Sequence, residues 1–160
     1  MREGLRTVRW PGRLECVGRR PDVWLDGAHN PHAAEALAAH LKILSAQRGP
    51  AAKRRLILVV GMMRDKDRRG VMALLTAIPG VSHLIVTRAA HPRAAAPEDL
   101  ARDAAGLGVP VAVRSSVSEA FAYARTLAGP DDTVCVTGSL LVVGEVKAML
   151  EGTTVSELRG

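Results

Sequence analysis

The sequence predicts a doubly wound α/β domain, a mostly parallel sheet with helices on both faces. Three observations point there. Apolar runs of strand length recur along the chain, and they are β-branched and nearly continuous rather than alternating, which is the pattern of strands buried on both faces. Helical patterns rich in alanine and leucine fill the gaps between them. Glycine-proline pairs punctuate the boundaries, so strand and helix alternate, and such alternation with short loops selects right-handed crossovers.

The elements follow in order. Leu5 to Val17 reads as an extra strand or an extended lead-in. Val23-Trp24-Leu25 is the first buried run and stops at Asp26. Pro31 to Arg48 is helical, with proline at its opening turn and Gly49-Pro50 at its close. Leu56 to Val60 is the next strand, followed by a helix over Asp67 to Ile78 whose apolar positions are Val71, Met72, Leu74, Leu75 and Ile78. His83 to Val86 is a strand. Pro97 to Leu107 is a helix that begins Pro-Glu-Asp, acids where the helix dipole favours them. Val109 to Val113 is a strand. Ser116 to Leu127 is a helix with capping-box spacing from Ser116 to Glu119. Thr133 to Val136 and a last helix over Leu141 to Leu150 complete the pattern. With the lead-in this makes a sheet of about six strands.

Composition narrows the function. The chain has 160 residues, enough for one domain with its own core, and 48% of them are hydrophobic. Aromatics are 2% (Trp10, Trp24, Phe121, Tyr123), so platforms for stacking nucleic-acid bases are scarce. The net charge of +6 favours anionic partners in general, yet no nucleic-acid reading motif accompanies it, and no nucleic-acid partner is expected. Cys16 and Cys135 stand alone, without CxxC or His/Cys clusters, so neither a structural zinc nor a disulfide framework is indicated. Cys135, inside an apolar run, reads as a small buried hydrophobe. No apolar run approaches the ~18 residues of a membrane helix. The opening MREGLRTVRW has no apolar signal core, so the expected location is the cytoplasm.

In open α/β sheets, ligands bind outside the carboxyl ends of the strands. Four segments there carry polar, charged or glycine residues: Asp26 to Asn30, Gly61 to Asp67, Thr87 to Arg93 and Thr137-Gly138-Ser139. All should emerge on one rim. Asp26 could cap the following helix, or be a fixed carboxylate that accepts from a ribose hydroxyl or an amine. His29 could be a turn residue, or an imidazole that meets a carboxylate or phosphate. Asn30-Pro31 is a common helix start. In GMMRDKDRRG, a solvated loop is the default reading, with Arg64 or Lys66 available to a phosphate and Asp65 to tether one of them. Walker A, G-x-G-x-x-G, G-x-S-x-G and H-E-x-x-H patterns are all absent.

Five blocks in order go further: WPGRLE (Trp10 to Glu15), LDGAHNPHAA (Leu25 to Ala34), GMMRDKD (Gly61 to Asp67), HPRAAAPEDL (His91 to Leu100) and VTGSLLVVGEV (Val136 to Val146). Together they resemble the C-terminal domain of folylpolyglutamate synthase/dihydrofolate synthase, in the Mur ligase superfamily. DGAHNP is the most specific block, although Mur ligases carry a related one. The PGRLE lead-in and the GSLxxVGEV ending favour the folate enzyme. Leu141 stands where that family commonly has tyrosine.

The resemblance implies a Rossmann-like sheet, mostly parallel with one antiparallel strand. It implies a ligase that joins L-glutamate to dihydropteroate or to a folate glutamyl tail, with ATP activating the acceptor carboxylate as an acyl phosphate and Mg2+ and potassium assisting. Carried over by motif, Arg13 and Asp26 match ATP contacts, with Arg13 also neutralising charge as the acyl phosphate forms. His29 matches a residue that places glutamate, and Ser139 lies in the turn that lines the glutamate site. None is a nucleophile; they position and neutralise. The resemblance also implies a partner, the N-terminal ATPase domain of the same enzyme, which would carry the phosphate cradle and metal ligands. This single domain, residues 1–160, is therefore expected to be monomeric and inactive alone. The alternatives are a non-catalytic nucleotide- or protein-binding module descended from such a ligase, the corresponding domain of a cell-wall Mur ligase, and an unrelated phosphate-binding domain.

Overall fold

A computed structural model describes residues 13–47 and 54–152. Strands form where the β-branched runs lie: β1 (Glu15–Gly18), β2 (Asp22–Leu25), β3 (Leu56–Val60), β4 (Val81–Val86), β5 (Val111–Val113) and β6 (Thr133–Thr137). They make one sheet in the order β1-β2-β6-β3-β4-β5. Every neighbouring pair is parallel except β1 with β2, which is antiparallel. The lead-in thus contributes one short antiparallel edge strand; the part of it before residue 13 lies outside the described residues.

Among the described residues five helices alternate with the strands: α1 (Pro31–Gln47), α2 (Arg68–Thr76), α3 (Pro97–Asp103), α4 (Val117–Leu127) and α5 (Leu140–Glu151). Successive side chains on a strand point to opposite faces, and β3 shows the consequence. Leu56, Leu58 and Val60 pack with Leu37 and Leu41 of α1, Met72 and Leu75 of α2, and Leu100 of α3. Ile57 and Val59 pack with Phe121 and Ala124 of α4 and Val142 and Val146 of α5. A strand buried on both faces needs apolar residues throughout, which is why LILVV does not alternate. Each such fully buried side chain is stabilising by about 1.5–3 kcal/mol.

The termini of the elements have local causes. Asn30 accepts from the Ala33 amide through its side chain at 2.9 Å, and Pro31 follows as the first helical residue, where its missing N–H costs nothing. The Asp67 side chain accepts from Gly70 N at 3.0 Å and starts α2. Ser116 accepts from Glu119 N at 3.2 Å. The return half of the predicted capping box is shared: Glu119 accepts from the amide and hydroxyl of Ser115, at 3.2 and 2.6 Å, and the Ser116 amide adds a weaker pull on its carboxyl. The Ser115 hydroxyl is the main reason the Glu119 carboxyl titrates below its usual range.

Three predicted spans shorten, the first being the helix expected over Asp67 to Ile78, which runs only over Arg68–Thr76. The helix from Pro97 ends at Asp103, ahead of Gly106 and Gly108, whose φ values of +80° and +78° are not helical. The strand expected from Val109 begins only at Val111, because Pro110 has no N–H to donate to the ladder. Its carbonyl still accepts from Leu84 N at 2.9 Å. β5 is also an edge, with Val111 and Val113 36% and 37% exposed, so burial on both faces does not hold there. No helix among the described residues is long and apolar enough to cross a membrane.

Candidate functional site

The carboxyl ends of β2, β6 and β3 lie side by side, and their following turns share one rim. Asp26 N donates to Val136 O at 3.0 Å, and Gly61 N to Thr137 O at 3.2 Å. The turns touch so closely that side chains would not fit. A Cβ on Gly138, where φ is +98°, would lie 2.7 Å from Gly61 O, and one on Gly61 would lie 2.9 Å from Thr87 O. The glycines of GMM and TGS are therefore required by backbone approach.

An open cavity of about 400 Å³ occupies the β2 end of this rim, within the size range of small-molecule sites. Arg13, Asp26 and His29 all line it, with Asn30 and His32 at the start of α1 and Leu140 at the start of α5. Residues 12 or more positions apart in sequence meet here because β1 folds back along β2.

Asp26 holds that arrangement. One carboxylate oxygen accepts from Leu14 N at 2.9 Å and the other from Ala28 N at 2.8 Å. It does not cap α1; Asn30 does. Each oxygen keeps a second lone pair for a ligand donor. Below it, burial first and the Asp26 charge second push the Cys135 thiol far above its ordinary range, so Cys135 behaves as the buried hydrophobe expected. His29 Nδ1 lies 2.9 Å from Gly27 O. A carbonyl can only accept, so Nδ1 carries the proton, and Nε2 is the ring's remaining polar atom. No acidic residue occupies the first turn of α1, whose N-terminal end therefore keeps its partial positive charge uncompensated from within that turn.

Ser139 is placed differently from the other three. It is 6% exposed, it does not line the cavity, and its hydroxyl accepts from Leu141 N at 3.1 Å. The cap geometry turns the side chain onto its own helix and leaves Leu140, 54% exposed, at the cavity wall. The second charged turn also lies apart. Arg64 donates through its backbone to Arg93 O at 3.0 Å and through its guanidinium to Pro92 O at 2.6 Å. Asp65 pairs with Arg93 at 3.3 Å and Lys66 at 3.9 Å. A hydrogen bond from its own amide, then these cations, hold the Asp65 carboxyl below its ordinary range. Those charges tie the Gly61 and His91 turns together instead of facing the cavity.

Leu140, His32 and Leu14 are cavity residues that the sequence reading did not single out. For His32 the signal was available, since it sits three positions beyond His29 at a helix start. For Leu14 and Leu140 there was none, because nothing local distinguishes an apolar cavity wall from a core residue. Among the described residues no group of three His, Cys, Asp or Glu side chains could hold a metal ion. A narrower cleft of about 40 Å³ at the opposite end of the strands, beside Trp24 and Leu44, has room for little more than a water.

The family described as "Mur ligase, glutamate ligase domain" matches residues 12–140. A Haloferax volcanii protein named "Probable bifunctional folylpolyglutamate synthase/dihydropteroate synthase" is 39% identical over 145 residues, which are 90% of this chain and 16% of that protein. The structure of Escherichia coli FolC in complex with DHPP and ADP superposes with a TM-score of 0.82 at 34% identity, covering 94% of this chain and 34% of that one. A bifunctional folylpolyglutamate synthase/dihydrofolate synthase with Mn, AMPPNP and L-glutamate bound superposes with a TM-score of 0.79 at 35% identity, covering 94% and 34%. The chain thus spans about a sixth of the length of the first and a third of the other two.

Proposed function

The chain belongs to the glutamate ligase domain family of the Mur ligases, and from that premise we propose that it is the C-terminal, glutamate-side domain of an ATP-dependent folate ligase. The ligase adds L-glutamate to dihydropteroate or to a folylpolyglutamate. The observation that carries this reading is the gathering of Arg13, Asp26 and His29 around one cavity. Relatives over the same span bear the names of folylpolyglutamate and dihydrofolate synthases, and solved structures of such proteins hold ADP or AMPPNP, in one case with Mn and L-glutamate.

When bound, ATP supplies the phosphoryl group that activates the acceptor carboxylate for attack by the glutamate amine. The residues of this chain fit a nucleotide on the chemistry of their donors and acceptors. Asp26, with a free lone pair on each oxygen, accepts from ribose hydroxyls. Arg13, exposed at the mouth, offers a fork of donors to phosphate oxygens and neutralises charge as it builds there. His29 and the N-terminal end of α1 hold a glutamate carboxylate, the ring as an imidazolium that donates from Nε2–H while Nδ1–H stays on Gly27 O, and the helix through the His32 amide, since Pro31 has no N–H and Asn30 takes the amides of Ala33 and Ala34. Ser139 acts at one remove, by setting where α5 begins and hence where Leu140 stands. The metal ligands have no counterpart among the described residues and belong to the ATPase domain of the same enzyme, its partner in this reading.

The test joins this chain to the N-terminal two thirds of the E. coli relative. The chimera is expected to release ADP in the presence of ATP, Mg2+, glutamate and a folate acceptor, and the isolated chain to release none. Turnover by the isolated chain at the rate of its relatives, or an inert but folded chimera, overturns the reading.

A further inference from the structure

Arg13 reaches the cavity from a weak platform. Among the described residues β1 is a four-residue edge strand, paired on one side only, and its register with β2 shifts between Cys16 and Gly18. Leu14, next to Arg13, has φ +48°, a left-handed conformation that an L side chain adopts at a cost. Backbone pairing this sparse does not by itself hold a guanidinium in place.

Among the described residues two side chains, Asp26 and Lys147, make up the deficit. Asp26 takes the Leu14 amide at 2.9 Å. Lys147, on α5, places its Nζ 3.0 and 3.2 Å from the two carboxylate oxygens of Glu15. Both members of that pair are mostly covered, at 21% and 28% side-chain exposure, so solvent screens it less than a surface pair. The same helix borders the cavity through its first residue, Leu140, and grips β1 through Lys147, two turns further along.

We propose that Lys147 is a positioning residue: with Asp26 it clamps the start of β1 at Leu14 and Glu15 and so fixes Arg13 over the nucleotide end of the cavity. Lys147 does not line the cavity and touches no substrate. It acts through Glu15 on the backbone that carries Arg13, and α5 ties that clamp to the cavity wall. The purpose assigned to it rests on the ligase reading above, but the clamp itself can be read without it.

The experiment uses the full 160-residue chain. Amide exchange at Leu14 and the NMR signal of the Arg13 Nε–H are followed in Lys147→Met, Lys147→Arg and the charge-exchanged Lys147→Glu/Glu15→Lys. In Lys147→Met the Leu14 amide should exchange at least about tenfold faster and the Arg13 signal should broaden or sharpen away from its wild-type form. Amides of β3 and β6 should keep their protection, which separates loss of the clamp from loss of the fold. Lys147→Arg and the charge exchange should restore the wild-type pattern. In the chimera, Lys147→Met should raise KM for ATP about fivefold while KM for glutamate stays within about twofold. Unchanged Leu14 exchange in Lys147→Met overturns the clamp, as does equal loss of protection across the sheet. A clamp that behaves as expected in a chimera without ADP release leaves the local geometry standing and overturns its assignment to nucleotide use.

Discussion

Asp26 and Leu14 are joined by a hydrogen bond of 2.9 Å, from the Leu14 amide to one carboxylate oxygen, across 12 positions of sequence. The other oxygen closes the turn by accepting from Ala28 N. One carboxylate thus builds the cavity twice, by bringing the Arg13 segment to the end of β2 and by shaping the turn that presents His29.

Asp26→Ala should therefore be both less stable and less able to use ATP. Two amides lose a charged acceptor, and such bonds are worth about 1.5–3 kcal/mol each, so urea denaturation of the chain should show a loss of about 3–6 kcal/mol. In the chimera the apparent KM for ATP should rise. An unchanged midpoint together with unchanged KM and kcat would count against both roles.

His29 should report on glutamate rather than ATP. His29→Ala in the chimera is expected to raise KM for glutamate about tenfold or more, the loss of one charge-assisted contact, with KM for ATP within about twofold. Initial rates at varied glutamate and varied ATP separate the two. A rise in the ATP constant alone would move His29 to the nucleotide end.

Gly138 and Gly106 share a positive φ, at +98° and +80°, but not their surroundings. A Cβ on Gly106 meets nothing within 4 Å, whereas one on Gly138 would lie 2.7 Å from Gly61 O. Gly106→Ala should cost only the backbone preference, about 1–2 kcal/mol. Gly138→Ala should cost clearly more, because two main chains must also separate. Comparable unfolding midpoints for the two variants would show that the β3 and β6 turns can part easily.

Asp132 anchors the opposite end of β6. It is 5% exposed and accepts from the Arg55 amide at 2.8 Å, the Arg55 guanidinium at 2.7 Å and Gly129 N at 2.7 Å. Burial pushes its carboxyl upward, but the Arg55 amide, the Arg55 guanidinium and the Gly129 amide outweigh that and leave it below the ordinary range. A depressed carboxyl stabilises the fold above its unfolded pKa of about 3.9, and that contribution is lost as pH falls through the lower folded value. Wild-type stability should therefore drop below about pH 4, and Asp132→Asn should be less stable at pH 7 by about 2–3 kcal/mol with a shallower acid loss. Thermal unfolding at pH 7 and in the acid range checks the sign; parallel acid profiles would refute it.

Much of this protein is legible in one dimension. LILVV, HLIV and TVCV declare strands buried on both faces, because only a covered parallel sheet accommodates apolar runs without alternation. Asn30-Pro31 and Ser116 declare helix starts, because a cap acts within three residues of itself. The DGAHNP, PGR and GSL blocks by themselves single out Arg13, Asp26, His29 and Ser139, and the order of the blocks points to the family. Tertiary structure decided what those residues do for one another. Only the antiparallel return of β1 along β2 puts Arg13 on the cavity that Asp26 and His29 line, only the cap geometry at α5 turns Ser139 away and presents Leu140, and only packing pairs Lys147 with Glu15 across 132 positions. Local propensity depends on neighbours a few residues apart, whereas a site made by strand order is a matter of which distant segments the sheet sets side by side.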